Sequence, residues 1–267
     1  MTDFDGVNLE VDRPHSARMY DYYLGGVTNF AADREAAGHA IAVFPWAPTA
    51  ARVNRAFMHR STRMLARAGI GQFLDVGTGI PTSPNLHEIA QAADPAARVV
   101  YADNDPIVLA HARALLVGTA QGQTAYVQAD ATAPQSVLSD TRLKETLDLT
   151  RPVALSLNAL LHFVPDALGA YEIVEEFKDA LAPGSALAMT HVTPDFAPEE
   201  TARLVRVYTE AGTPVQARTQ AEFARFFDGW RIAGPGVVPT QHWRPDPGDE
   251  TASDTEAASY AAVAFKP

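Results

Sequence analysis

The chain has 267 residues, with 32 Asp and Glu against 21 Lys and Arg, so its net charge of −11 repels phosphate backbones and disfavours nucleic acid as a partner. It contains no cysteine, which excludes disulfides, thiolate metal sites and a cysteine nucleophile. Apolar residues make up 47% of it, enough for one large core, and no apolar run approaches membrane-spanning length.

The opening MTDFDGVNLEVDRPH is acidic and lacks the basic start and apolar stretch of a signal peptide, so the expectation is a cytoplasmic protein without a membrane partner. Three helices are then expected, forming an N-terminal helical cap or lid over residues 1–70. The first spans 17–24 and stops at Gly25-Gly26, the second spans 31–43 before Pro45, and the third spans 49–68 before Gly69. Arg52, Arg55, Arg60, Arg63 and Arg67 fall in the third helix and read as a solvated face.

From residue 71 to 267 strands and helices alternate. GQFLDVG reads as a buried strand, and Ser83-Pro84 as a cap and first turn opening a helix to about 92. RVVYAD is a second strand, followed by a helix over 106–118, and TAYVQAD and PVALSLNAL are the third and fourth strands. A helix over 168–181 places Ile173, Phe177, Ala180 and Leu181 on one face, and SALAMTHV follows as the fifth strand. Helices over 198–211 and 219–227 precede the strand-like WRIAGPGVV and SYAAVAFKP, with 244–253 as a loop between them. Such alternation predicts an α/β fold, a mostly parallel seven-stranded sheet closed by an antiparallel C-terminal strand.

Ligands of open α/β sheets bind beyond the carboxyl ends of the strands. After the first strand comes Asp75-Val76-Gly77-Thr78-Gly79, where the glycines let the backbone turn tightly against a ligand and the next helix offers N–H groups to an anion. Asp103, at the end of the second strand, suits two ribose hydroxyls, with Asn104 beside it. Asp130, after the third, suits an adenine amino group, with the Ala131 N–H for a ring nitrogen. A dinucleotide fingerprint would need a third glycine at position 82, where the chain has Thr82 between Pro81 and Pro84, so an NAD-dependent oxidoreductase is the weaker reading.

FLDVGTG resembles motif I of class I methyltransferases, and Asp103 and Asp130 match the acidic positions that bind ribose and adenine in them. The run SARMYDYYLGG, with Asn29-Phe30 and ADRE from Ala32, and later LLHFVPD from Leu160, is similar to an actinobacterial family of S-adenosyl methyltransferases. That resemblance covers nearly the whole chain and implies a Rossmann-like fold with S-adenosylmethionine as cofactor, leaving the acceptor open. Asn158 follows the fourth strand, either holding the cofactor's methionine end or capping the strand. His162 and His191 follow the fourth and fifth strands, each a candidate base or a hydrogen-bonded loop histidine. Tyr20 and Tyr23 share a face of the first helix, and with Gly25 as a joint that helix is a candidate lid over a sulfonium. No His, Asp and Glu spacing suggests a metal site. The expected partner is a small-molecule methyl acceptor; a protein that only senses the cofactor is the alternative.

Overall fold

The computed structural model describes residues 10–108 and 118–267. Its sheet runs β3-β2-β1-β4-β5-β8-β6, with β7 also paired to β8. Strands β1 (Gln72–Val76), β2 (Arg98–Asp103), β3 (Gln123–Gln128), β4 (Ala154–Leu157) and β5 (Ala186–Val192) are parallel. β8 (Ser259–Phe265) returns antiparallel to β5 along its full length. Among the described residues eight strands stand where seven were expected, because WRIAGPGVV splits into β6 (Arg231–Ile232) and β7 (Val238–Pro239), both on the same partner. Gly234-Pro235-Gly236 interrupts it, since proline donates no ladder hydrogen bond.

The central strands β1, β2, β4 and β5 are buried on both faces, as parallel strands must be when helices cover both sides. Alternate residues go to opposite layers: Leu74 and Val100 into one core with Phe177 and Phe226, Phe73 and Val99 into the other with Phe57 and Leu65. Helix α3 (Ala47–Arg67) therefore packs its apolar face directly on the sheet. Helices α1 (Ser16–Tyr23) and α2 (Ala31–Val43) build a third, smaller cluster with α8 (Pro198–Glu210), centred on Met19, Tyr23, Phe44 and Tyr208.

Helix α1 ends as its sequence requires. Gly25 has φ +78°, and the Gly26 N–H donates to the Asp21 carbonyl at 2.8 Å, the left-handed stop that glycine allows. The polar residues of the distinctive N-terminal run then pin α1 to α2. Asn29 Nδ2 donates to Asp21 at 2.8 Å, Arg34 to the Asn29 carbonyl at 2.8 Å, and Asp33 accepts the N–H groups of His15 and Phe30.

Helix α4 (Leu86–Ala93) starts two residues later than expected. Asn85, not Ser83, caps it, in a reciprocal box with Glu88. Short helices α5 (Pro134–Leu138) and α6 (Thr141–Thr146) fill the crossover before β4. The helix expected over 168–181 contracts to α7 (Ala170–Asp179), because Gly169 is left-handed at φ +78° and breaks the preceding 3-10 turn away. Helix α9 (Gln220–Ala224) ends in a 3-10 turn, and α10 (Asp254–Ala257) forms between the expected loop and the last strand. The helix expected over 106–118 lies mostly outside the described residues. Among the described residues, no helix is long and apolar enough to cross a membrane.

The arginine face of α3 is not simply solvated. Arg52 pairs with Glu250, Arg60 with Asp249 and Arg63 with Asp246, so the acidic loop before α10 is strapped along the helix. Arg60 also donates to the carbonyls of Thr240 and Trp243. Arg55 turns the other way, towards the strand ends.

Candidate functional site

A cavity of about 560 Å³ lies at the carboxyl ends of β1 to β5 and continues beneath α1, α2 and α8. Its position is set by the topology, because the strand order reverses between β1 and β4, and the connections leaving them to opposite sides open a crevice above the sheet. Of the fourteen residues expected at the site, thirteen line this cavity. Gly25 does not; it is the helix stop, facing open space.

At the strand ends the backbone does much of the work. Gly77 has φ +74°, and a Cβ on it would stand 2.6 Å from Leu160 Cδ1, so only glycine lets the loop pass under the segment after β4. Its N–H donates to the Ala102 carbonyl at 2.8 Å. Asp103 Oδ2 accepts the Gly79 N–H at 2.8 Å, and Oδ1 accepts the Asp105 N–H at 3.0 Å. Each oxygen keeps one lone pair for a ligand. Burial raises the pKa of Asp103, and raises that of Asp75 to about 6 despite contacts from Ser156 and Thr78. Asp130 is exposed at the rim, one oxygen holding the Thr132 N–H at 2.8 Å.

Arg55 is the single Lys or Arg lining the cavity among the described residues. Its Nη2 donates to the carbonyls of Thr82 and Pro84, which aims the guanidinium along the loop after β1. Asp75 is among the charges acting on it.

The segment after β4 forms the floor between the two ends. Asn158 Nδ2 donates to Ser156 Oγ at 2.8 Å, which fixes the amide and leaves Oδ1 buried without a partner. Ala159 follows at φ +52°, a left-handed conformation uncommon outside glycine. A hydrogen-bond chain holds it there. The Ala159 N–H donates to Thr190 Oγ1 at 2.8 Å, and Thr190 to Asn54 Oδ1 at 2.6 Å. Asn54 Nδ2 then donates to the Tyr20 hydroxyl at 2.7 Å, and Tyr20 to the Ala51 carbonyl at 2.9 Å. Tyr20 is thus a locked wall of the cavity. The Tyr23 hydroxyl lies 2.9 Å from that of Tyr208.

The two histidines differ in what they can do. His191 Nε2 lies 2.7 Å from Arg218 Nη1, and its Nδ1 lies 2.8 Å from the Val192 carbonyl. Arginine only donates, so Nε2 accepts and Nδ1 carries the proton. With its Nε2 lone pair turned to Arg218, His191 has no free acceptor for a substrate proton in this arrangement. His162, 5.6 Å from it ring to ring, makes no side-chain hydrogen bond among the described residues, and its Nδ1 is buried without a partner among them. Burial, then the charge of Arg218, pushes His162 down to about 3, so its imidazole is neutral in use.

Arg218 is fully buried and was missed by sequence reasoning. It uses all five donors: Asp166 twice, the carbonyls of Leu161 and Val164, and His191. Those bonds hold the stretch from Leu160 to Asp166 in place against β5. Asn54, Thr190, Arg55 and Tyr208 were missed as well.

The family model described as S-adenosyl methyltransferase matches residues 4–267. A crystal structure of a DUF574 family protein from Streptomyces avermitilis is 47% identical, with a TM-score of 0.95 over 97% of this chain and 100% of that one. A candidate methyltransferase from Thermobifida fusca is 38% identical, with a TM-score of 0.90 over 99% of each chain. No curated protein matches.

Proposed function

Because the chain belongs to the S-adenosyl methyltransferase family, with S-adenosylmethionine as its cofactor, we propose that it methylates a small molecule held in the cavity above the strand ends. The observation carrying this reading is the charge pattern of the cavity. Three carboxylates, Asp75, Asp103 and Asp130, and one guanidinium, Arg55, line it at the ends of β1 to β3. The cofactor has two cationic centres, one carboxylate and a ribose diol, so the donor set fits it. The left-handed glycines at 77 and 79 and the unpartnered Asn158 Oδ1 fit as well.

When bound, S-adenosylmethionine supplies an electrophilic methyl group on a sulfonium. Asp103 offers its remaining lone pairs to the ribose, and Asp130 with the Ala131 N–H holds the adenine edge. Arg55 takes the methionine carboxylate, while Asp75 and Asn158 Oδ1 face the ammonium. Asn104 and Thr78 complete the walls. Helix α1, with Tyr20 and Tyr23, covers the cavity and excludes water, the role of a cap over the catalytic unit of 71–267.

His162 orients the acceptor. A neutral imidazole accepts a hydrogen bond from a hydroxyl or amine, yet a nitrogen pushed down to about 3 holds a proton poorly at pH 7. Its contribution is alignment of the nucleophile, with the proton passing on to solvent.

Calorimetry tests the assignment. Arg55→Met should lower S-adenosylmethionine affinity about tenfold or more while leaving adenosine affinity unchanged, since a hydrogen bond to a charged group contributes about 1.5–3 kcal/mol. Equal losses for both ligands would remove Arg55 from the methionine end. Acceptor-dependent release of S-adenosylhomocysteine separates methyl transfer from mere cofactor sensing.

A further inference from the structure

The cavity has two chemically distinct ends. All the ionised groups that line it among the described residues belong to the strand ends, to the loop after β1, or to α3 facing them. The opposite end is continuous with the cluster of α1, α2 and α8. Tyr23, Phe44, Phe163, Leu204 and Tyr208 belong both to that cluster and to the cavity wall. Phe163 and Tyr208 stand 5.8 Å apart, and Leu168 lines the cavity while 55% exposed.

Polar groups at this end are few and uncharged. The hydroxyls of Tyr23 and Tyr208 bond each other, and Thr213 and His162 add a hydroxyl and an imidazole. Burial raises the pKa of both tyrosines, so neither becomes a phenolate near neutral pH. A carboxylate, phosphate or ammonium entering here would lose its hydration and meet no charged group in the cavity wall, since Arg218 behind the histidines has all its donors committed and is paired with Asp166. Aromatic walls instead favour a flat ring, by offset or edge contacts.

We infer that the methyl acceptor is an uncharged aromatic small molecule, bound between Tyr23, Phe163 and Tyr208 with its hydroxyl or amine turned towards His162. The inference rests on the proposed cofactor placement, which leaves this end of the cavity free.

The test is calorimetry on the full chain saturated with S-adenosylhomocysteine, using 2-naphthol, 6-hydroxy-2-naphthoate and decahydro-2-naphthol as probes. The naphthol should bind about tenfold or more tighter than the naphthoate, because the added carboxylate finds no partner. It should also bind tighter than the saturated alcohol, which has no ring face. Leu204→Lys places a cation on the half-exposed wall and should reverse the order of naphthol and naphthoate. A naphthoate that matches naphthol on the unsubstituted protein overturns the inference, as does binding of none of the three. Affinity for S-adenosylhomocysteine is measured first on the same sample. Its absence overturns the cofactor placement too, whereas its presence with the wrong probe order overturns the acceptor class alone.

Discussion

Lowering the pH from 7 to 5 gives a direct measure of how His162 is held. In the folded protein its pKa is about 3, against about 6.5 for an ordinary histidine in the unfolded chain. Above pH 6.5 neither state carries the proton, so stability is complete there. As pH falls below 6.5 the unfolded state takes up a proton that the folded state refuses, and stability drops by about 1.4 kcal/mol per unit until the folded value is reached. Between pH 7 and 5 the loss integrates to about 2 kcal/mol from this residue. Asp75 acts oppositely, because its raised pKa of about 6 lets the folded state gain a proton first, which stabilises it as pH falls through that value. The total slope therefore mixes signs, and the informative quantity is a double difference. Urea unfolding followed by circular dichroism, on the unsubstituted protein and on His162→Gln at both pH values, isolates the histidine. The stability gap between the two should shift by about 2 kcal/mol, with the variant losing less on acidification. A gap that stays constant would mean that His162 protonates in the folded protein as readily as in the unfolded chain, and the orienting role argued for it would fall.

Gly77→Ala forces a Cβ towards Leu160 at a positive φ; it should lose about 1–2 kcal/mol from backbone strain alone and weaken cofactor binding, with Leu160→Ala recovering only the steric share in a melting experiment. Arg218→Met leaves the buried carbonyls of Leu161 and Val164 and the His191 ring without their donor, at about 1–3 kcal/mol for each buried group left unpaired, so the variant should unfold more easily, and an unchanged melting temperature would contradict the clamp. Asp103→Ala should reduce S-adenosylmethionine affinity about tenfold or more in calorimetry, because both its oxygens organise the loop as well as facing the ribose. Duplex DNA should bind weakly and without a steep salt dependence, since Arg52, Arg60 and Arg63 already face carboxylates; tight binding at low salt in a filter assay would refute this.

The strand ends were the most legible part of the chain. Gly77, Gly79, Asp103 and Asp130 each follow an apolar run that can only be a buried strand, and strand-end chemistry depends on local sequence. The Arg218 clamp was not legible, because it joins residues more than fifty positions apart that only the packing of β5 brings together. Asn54 did leave a signal. It stands in the stripe Ala47, Ala51, Asn54 and Met58, where helical spacing puts an uncharged polar group among cavity-lining apolar ones. Gly234-Pro235-Gly236 likewise announced that the sixth strand would break. The N-terminal run carried the family resemblance, and its polar members Asp21, Asn29, Asp33 and Arg34 hold one helix to another and make no wall of the cavity.

The place of β8 in the sheet governs the order in which this protein can be assembled during synthesis. β5 ends at residue 192, and the strand that covers its free edge does not begin until 259. While the ribosome makes the intervening segment, the edge of β5 carries unpaired N–H and C=O groups beside mostly apolar residues, an open template for another nascent chain. β6 and β7 cannot relieve this, because both pair only with β8. α9 and the 3-10 turn after it emerge first and cover one face of the sheet with Phe223, Phe226 and Phe227, but the edge itself waits for residues 259–265. Productive folding of the whole sheet is therefore a late event of translation, and any pause between β5 and β8 lengthens the exposure to aggregation.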